Sequence, residues 1–213
     1  MKGSRVIPLV LLLLVAGSAF AQQRSVDVSG FYVWADPTGD TQFNDFDLEV
    51  DSTSGFGGAI NVFWSNRVST EFAASVIKPE ATLRSSNPLI PALTGGELEM
   101  IPITVILQFH FAPRARFDPY VGAGAAYVLF DDLDSTSDLG NIGISSVDID
   151  DDVGLVLNAG MSIDLTRRLA LYLDGKYVPI TTAATAVFAT GPGREIDIDI
   201  NPLILSVGLS FQF

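Results

Sequence analysis

Period-two alternation, repeated in eight segments with one parity free of charge, constrains this chain more than any other feature. The segments are 26–35, 55–64, 68–77, 100–111, 119–130, 153–165, 169–180 and 196–213. Apolar residues at every second position mark one face of a β-strand. That face carries Val28, Tyr32 and Trp34 in the first segment, and Phe56, Ile60, Val62 and Trp64 in the second. It ends with Leu203, Leu205, Val207, Leu209, Phe211 and Phe213, the last residue of the sequence. In hydrocarbon every backbone polar group must bond internally, so strands can span a bilayer only as a closed sheet. Closure also leaves no free strand edge. Beyond the N-terminal region no run of 18 apolar residues occurs, so no transmembrane helix is expected. The pattern predicts an all-β fold, an eight-stranded antiparallel transmembrane β-barrel.

The connections between segments alternate in length. Short links cover 65–67, 112–118 and 166–168, and long ones cover 36–54, 78–99, 131–152 and 181–195. Short periplasmic turns and long extracellular loops are the arrangement of outer-membrane barrels. An even strand number places both termini on the periplasmic side. Trp34, Trp64, Phe111, Tyr127, Tyr177 and Phe213 fall near segment ends, where interfacial aromatic girdles sit.

The N-terminus fits export. Lys2 and Arg5 precede an apolar run from Val6 to Val15, and Ala19-Phe20-Ala21 has the small-x-small form of a cleavage site. Cleavage after Ala21 would leave residues 22–213 as a single barrel domain. Without Lys2 and Arg5, ten basic residues face 25 acidic ones, a net charge of −15. Such acidity argues against nucleic acid as a partner. Cysteine is absent, so disulfides contribute nothing to stability.

The second parity is mixed. Toward the periplasmic end it offers Asp27, Asn61, Glu71, Gln108, His110, Asp164, Asp174, Lys176 and Gln212. Toward the outer end it offers Phe31, Val33, Ile77, Ile106, Val128, Phe130, Val178, Ile180 and Ile204. An eight-stranded barrel is just wide enough for side chains to fill, or to hold one small ligand. The expectation is a polar plug built on Glu71, Gln108, His110, Asp174 and Lys176 beneath an apolar upper region. That region is either a ligand pocket or packed core.

Proline cannot donate to a ladder, so Pro102, Pro119, Pro179 and Pro202 each require a local irregularity in a closed wall. At 196–205 the apolar parity switches between Ile200 and Leu203. That switch predicts a bulge at Asn201-Pro202, or else an end to pairing above the membrane. A wall irregularity near Pro102, Pro179 or Pro202 would let an apolar solute leave sideways, because a charged plug is costly for it to cross.

The acidic segments "DDLDSTSD" and "SSVDIDDD" lack the glycine and distal glutamate of a calcium loop. They read as solvated surface charge, with loose divalent bridging to lipopolysaccharide phosphates as a further reading. No metal site or cofactor is expected. His110 is the only histidine, so a Ser-His-acid hydrolase would have to use it, with Ser69 and Glu71 on the adjacent strand. A polar plug residue is the simpler role. "GAGAA" (122–126) lies within a strand with no helix after it, so it is not a nucleotide loop.

"LQFHFAPRARFDPYVGAGAAYVLF" (107–130) and "DINPLILSVGLSFQF" (199–213) resemble the OmpW family of outer-membrane proteins, and "DVGLVLNAGMSIDL" (152–165) fits its sixth strand more loosely. The resemblance implies an eight-stranded barrel in the Gram-negative outer membrane that resembles a narrow channel for small hydrophobic molecules. It also implies that Phe213 is read by the barrel-assembly machinery. Partners would be outer-membrane lipid, lipopolysaccharide and small apolar solutes, and no enzymatic activity is implied. The alternative is a structural or receptor barrel with an inert lumen, whose acidic loops bind ions or surface partners. A soluble lipocalin-like barrel would turn the charge-free parity inward.

Overall fold

The structure, a computed structural model, describes residues 26–37, 41–43, 46–85, 93–97, 99–130, 133–134, 144–149, 151–188 and 194–213. The expected leader, 1–21, and much of the acidic segment 131–152 lie outside them. Among the described residues every regular element is a strand. They are β1 (Val26–Pro37), β2 (Thr41–Phe43), β3 (Phe46–Val50), β4 (Thr53–Phe63), β5 (Val68–Ile77), β6 (Glu80–Ser85), β7 (Leu93–Glu97) and β8 (Met100–His110). Then follow β9 (Phe117–Phe130), β10 (Leu133–Asp134), β11 (Ile144–Ile149), β12 (Asp152–Asp164), β13 (Leu169–Tyr177), β14 (Ile180–Phe188), β15 (Arg194–Ile200) and β16 (Pro202–Gln212).

Eight of these close into an antiparallel barrel in the order β1-β16-β13-β12-β9-β8-β5-β4. The first and last strands pair from Asp27 opposite Gln212 to Pro37 opposite Pro202, and Phe213 N–H donates to Val26 O at 2.9 Å. The C-terminal strand is thus a full stave of the wall. Burial alternates as the charge-free parity requires. Phe56, Trp64, Leu155, Leu157 and Phe213 are exposed outward, while alternate residues such as Val156, Asn158, Ile204 and Ser206 are buried inside. This outward face is what the bilayer covers, at about 25 cal/mol per Å² of apolar area withdrawn from water.

The long connections, expected as loops, are further strands. Two four-stranded sheets, β2-β3-β6-β7 and β10-β11-β14-β15, continue the barrel hairpins beyond the membrane-facing region. Register carries through from barrel to sheet. Tyr177 faces Leu203 in the barrel, and Ile180 faces Ile200 three residues on along both chains. No residue is inserted, so the bulge expected at Asn201-Pro202 is absent. The barrel ladder ends at Tyr177 and Leu203, Val178 N–H still donates to Pro202 O at 3.2 Å, and the upper sheet takes up pairing at Ile180 and Ile200. The switch in apolar parity has another cause. Outside faces lipid along Leu203 and Leu205, whereas inside is itself apolar at this level, with Ile200, Pro202 and Ile204 buried.

Candidate functional site

Among the described residues the barrel interior is where the wall strands bring polar groups together out of water, and parity decides which residues reach it. From β5 come Ser69, Glu71, Ala73, Ser75 and Ile77; from β8 come Pro102, Thr104, Ile106, Gln108 and His110. From β13 come Tyr172, Asp174 and Lys176. All of these are buried.

The plug is built around Lys176. Its ammonium lies 3.0 Å from Glu71 Oε1, donates to Asp174 Oδ1 and lies 3.3 Å from the Tyr172 hydroxyl. It also stands 5.9 Å from the ring centres of both Phe31 and Tyr172, which stack at 5.4 Å. Two carboxylates thus share one cation, and the remaining negative charge is spread over neutral donors. Tyr172 donates to Glu71 Oε2 at 3.0 Å, and Gln108 Nε2 donates to the same oxygen at 3.2 Å. Tyr120 and Asn158 donate to Asp174 Oδ2 at 2.8 and 2.6 Å. Gln108 ties the halves together, donating to Asn158 Oδ1 at 2.9 Å and accepting from Asn61 Nδ2 at 2.6 Å. A buried ion survives only when paired and hydrogen-bonded in this way.

Glycine makes room for the stacked rings. A Cβ on Gly57 would fall 2.3 Å from Phe31 Cε2, and one on Gly208 would fall 2.6 Å from Phe31 Cβ. Phe31 therefore lies at the level of the plug, and Ile106, register partner of Glu71, does too. Both were expected higher in the barrel. Above them Val33, Ile77, Val128, Val178, Ile180 and Ile204 are buried in one apolar cluster, with Phe130 packed against it. Among the described residues this region is filled by its own side chains.

His110 sits below. Its Nδ1 lies 2.9 Å from Asp118 Oδ2 and its Nε2 lies 2.9 Å from Ser69 Oγ. With Asp118 accepting from Nδ1–H, Nε2 accepts from the Ser69 hydroxyl. The connectivity is that of a Ser-His-Asp triad, with Asp118 and not Glu71 as the acid. Ser69, however, is 0 % exposed and lies within 3.4 Å of Gln108 Oε1, so no carbonyl can approach its oxygen in this arrangement. The group closes the lower end of the plug. Near the mouth Gln212 Nε2 donates to Asp164 Oδ1 at 3.1 Å, and Asp27 is buried.

Of the prolines, Pro102 interrupts a ladder of the barrel wall. Between β5 and β8 pairing runs from Val68–Phe109 to Ala74–Ile103, skips the positions of Ser75–Pro102 and Val76–Ile101, and resumes at Ile77–Met100. On its other side Pro102 remains paired with Val128. A cavity of about 10 Å³, room for a single water, lies at this gap. Its lining includes the lumen residues Phe31, Ala73, Thr104, Lys176 and Ile204, and also Ala74, which is exposed on the lipid face. Pro179 and Pro202 lie where the barrel passes into the upper sheet. Pairing of β12 with β13 begins only at Leu157–Tyr177, but a Cβ on Gly154 would meet Pro179 O at 2.9 Å, so backbone closes that seam.

Tyr120, Tyr172, Asn158 and Asp118 were missing from the sequence-based site. Strict parity counting along each strand from Asp174, Asp164 and Val128 reaches Tyr172, Asn158 and Tyr120 in turn. Asp118 is hidden in the sequence because the proline after it looks like the start of the strand, which in fact begins at Phe117.

Known proteins place this architecture. The sequence profile of the OmpW family matches residues 17–213. Outer membrane protein W of Vibrio cholerae serotype O1 is 28% identical over 168 residues, covering 78% of this chain and 77% of its own. Outer membrane protein AlkL of Ectopseudomonas oleovorans is 29% identical over 154 residues, 72% of this chain and 64% of that protein. The solid-state NMR structure of AlkL in DMPC bilayers superposes with a TM-score of 0.64 at 26% identity, covering 93% of this chain and 94% of that one. The crystal structure of OprG from Pseudomonas aeruginosa gives a TM-score of 0.79 at 22% identity over 89% of this chain and 95% of that one, a likeness of fold. A charge-free outward face on a closed eight-stranded barrel, matched by the family profile over nearly its whole length, shows that this chain belongs to the OmpW family and resides in the Gram-negative outer membrane.

Proposed function

We propose that this barrel passes small hydrophobic molecules from the outer surface into the outer membrane, through the apolar upper lumen and out sideways at Pro102. The observation that carries the reading is the interrupted β5–β8 ladder beside a cavity lined by both lumen and lipid-face residues. The plug supports it from below. Crossing the Glu71–Lys176–Asp174 group would strip an apolar solute's path of every compensating contact, whereas the gap at Ser75–Pro102 lets it meet hydrocarbon directly. In this reading Val33, Ile77, Val128, Val178 and Ile180 move aside for the solute. Removal of the leader after Ala21 and recognition of Phe213 by the assembly machinery precede function.

The test restores the missing donor. Pro102→Ala returns one backbone N–H to the β5 side. A backbone hydrogen bond is worth about 1 kcal/mol net, so opening of the seam should fall about fivefold. Ala73→Leu fills the cavity without adding charge. Uptake of a radiolabelled medium-chain alkane or alcohol by cells carrying each variant should drop, with barrel content and far-ultraviolet dichroism unchanged. Wild-type uptake in both variants would overturn lateral exit. If the wild type itself gave no uptake above barrel-free cells, the inert-lumen reading, with acidic outer segments binding surface partners, would replace transport altogether.

A further inference from the structure

The barrel's short-turn rim concentrates cation on a strongly acidic chain. Residues 64–67, 111–117 and 165–169 contain five arginines and no aspartate or glutamate. Arg67, Arg114, Arg116, Arg167 and Arg168 are all exposed. The salt bridges among the described residues include none of them.

Three of the five hold equivalent places. Arg67, Arg116 and Arg168 each immediately precede a strand, β5, β9 and β13. In each case the carbonyl accepts from the neighbouring strand: Arg67 O from His110 N at 2.8 Å, Arg116 O from Asp164 N at 2.9 Å and Arg168 O from Gln212 N at 2.8 Å. The backbone that carries each cation is thereby part of the wall. The three turns occupy three of the four hairpin positions around the rim, and the paired termini occupy the fourth. Apolar groups stand in the same turns: Trp64, Phe111, Phe117 and Leu165 are exposed, and the Arg116 guanidinium lies 5.9 Å from the Phe117 ring centre. Aromatic residues of this kind mark the level where hydrocarbon gives way to headgroups. Arginine, planar and always charged, suits bidentate contact with phosphate.

We propose that this arginine rim binds the phosphates of anionic glycerophospholipids in the periplasmic leaflet of the outer membrane. Charge complementarity selects the occupant, and the aromatic level sets its depth. The rim thus gathers an anionic lipid annulus beneath a barrel whose outer segments are acidic, so the two ends of the molecule select different leaflets. The inference is independent of whether the lumen conducts.

The full-length mature barrel, reconstituted in phosphatidylcholine bilayers with trace spin-labelled lipid, tests this by electron paramagnetic resonance. At low salt, spin-labelled phosphatidylglycerol should associate roughly threefold more strongly than labelled phosphatidylcholine, a modest share of the attraction available to several interfacial cations. The preference should collapse toward parity in about 1 M salt, where screening acts within a few ångströms. In R67Q/R116Q/R168Q it should fall toward parity at low salt, while R67K/R116K/R168K, which keeps the charge, should retain most of it. Circular dichroism establishes that each variant is folded. Equal association of the two lipids with wild-type protein would overturn the proposal, as would an undiminished preference in the glutamine variant. If the wild type showed no lipid preference but bound a soluble acidic peptide at the rim, the lipid assignment would likewise be wrong.

Discussion

Replacing Lys176 by methionine removes the cation from a buried group that holds two carboxylates. Glu71 and Asp174 then stand on adjacent parts of the lumen with their contacts at 3.0 Å or less to Nζ gone. Methionine fills much of the volume and keeps contact with the Phe31 and Tyr172 rings, so the loss is electrostatic. Breaking a buried ion pair from one side costs about 3–5 kcal/mol. Glu71→Gln acts in the opposite sense. It takes the group from one excess negative charge to neutrality, leaves the Lys176–Asp174 pair, and still presents an oxygen to Tyr172 and Gln108. Its cost should be about 1–2 kcal/mol, that of one imperfectly replaced hydrogen bond. Urea unfolding of the barrel in lipid vesicles, followed by tryptophan fluorescence, measures both. The refuting result is an ordering in which Glu71→Gln is as costly as Lys176→Met. That would mean the excess negative charge is not held by the group as described.

Further outcomes follow from packing and closure. Gly124→Ala should cost about 3 kcal/mol or more, since its Cβ would sit 1.9 Å from Val105 O, whereas Gly30→Ala, with nothing within 4 Å, should fold normally; the folded fraction after refolding measures both. Asp118→Asn removes the carboxylate that fixes the His110 tautomer and also bonds Ala112 N at 3.2 Å, so about 1–3 kcal/mol of stability should be lost in the same unfolding assay. Phe213→Ala should leave refolding in detergent nearly unchanged, because its backbone N–H still reaches Val26 O, yet slow appearance of the barrel in the outer membrane of cells, as followed by pulse-chase labelling.

The period of two was legible from the residues because lipid imposes a rule that acts one position at a time: an outward side chain carries no charge, whatever its neighbours. That rule exposed all eight staves and sorted Glu71, Gln108, Asp174 and Lys176 to the inside. It could not show that Tyr172 and Tyr120 bridge different carboxylates, or that Asn158 answers Gln108, because those contacts join residues 50 to 101 positions apart. Nor could it separate two causes of one symptom. The parity switch near Asn201 looks the same in sequence whether a residue is inserted or the lumen turns apolar, and only the pairing of Ile180 with Ile200 distinguishes them.

Alternation, turn spacing and charge placement thus carry the closed barrel, its orientation and its membrane, since each is a local consequence of the surrounding solvent. Register and cross-strand distance decided the rest. They gave the shared cation of the plug, the sealed Ser69–His110–Asp118 group and the unpaired step beside Pro102, because each depends on which residues closure brings face to face.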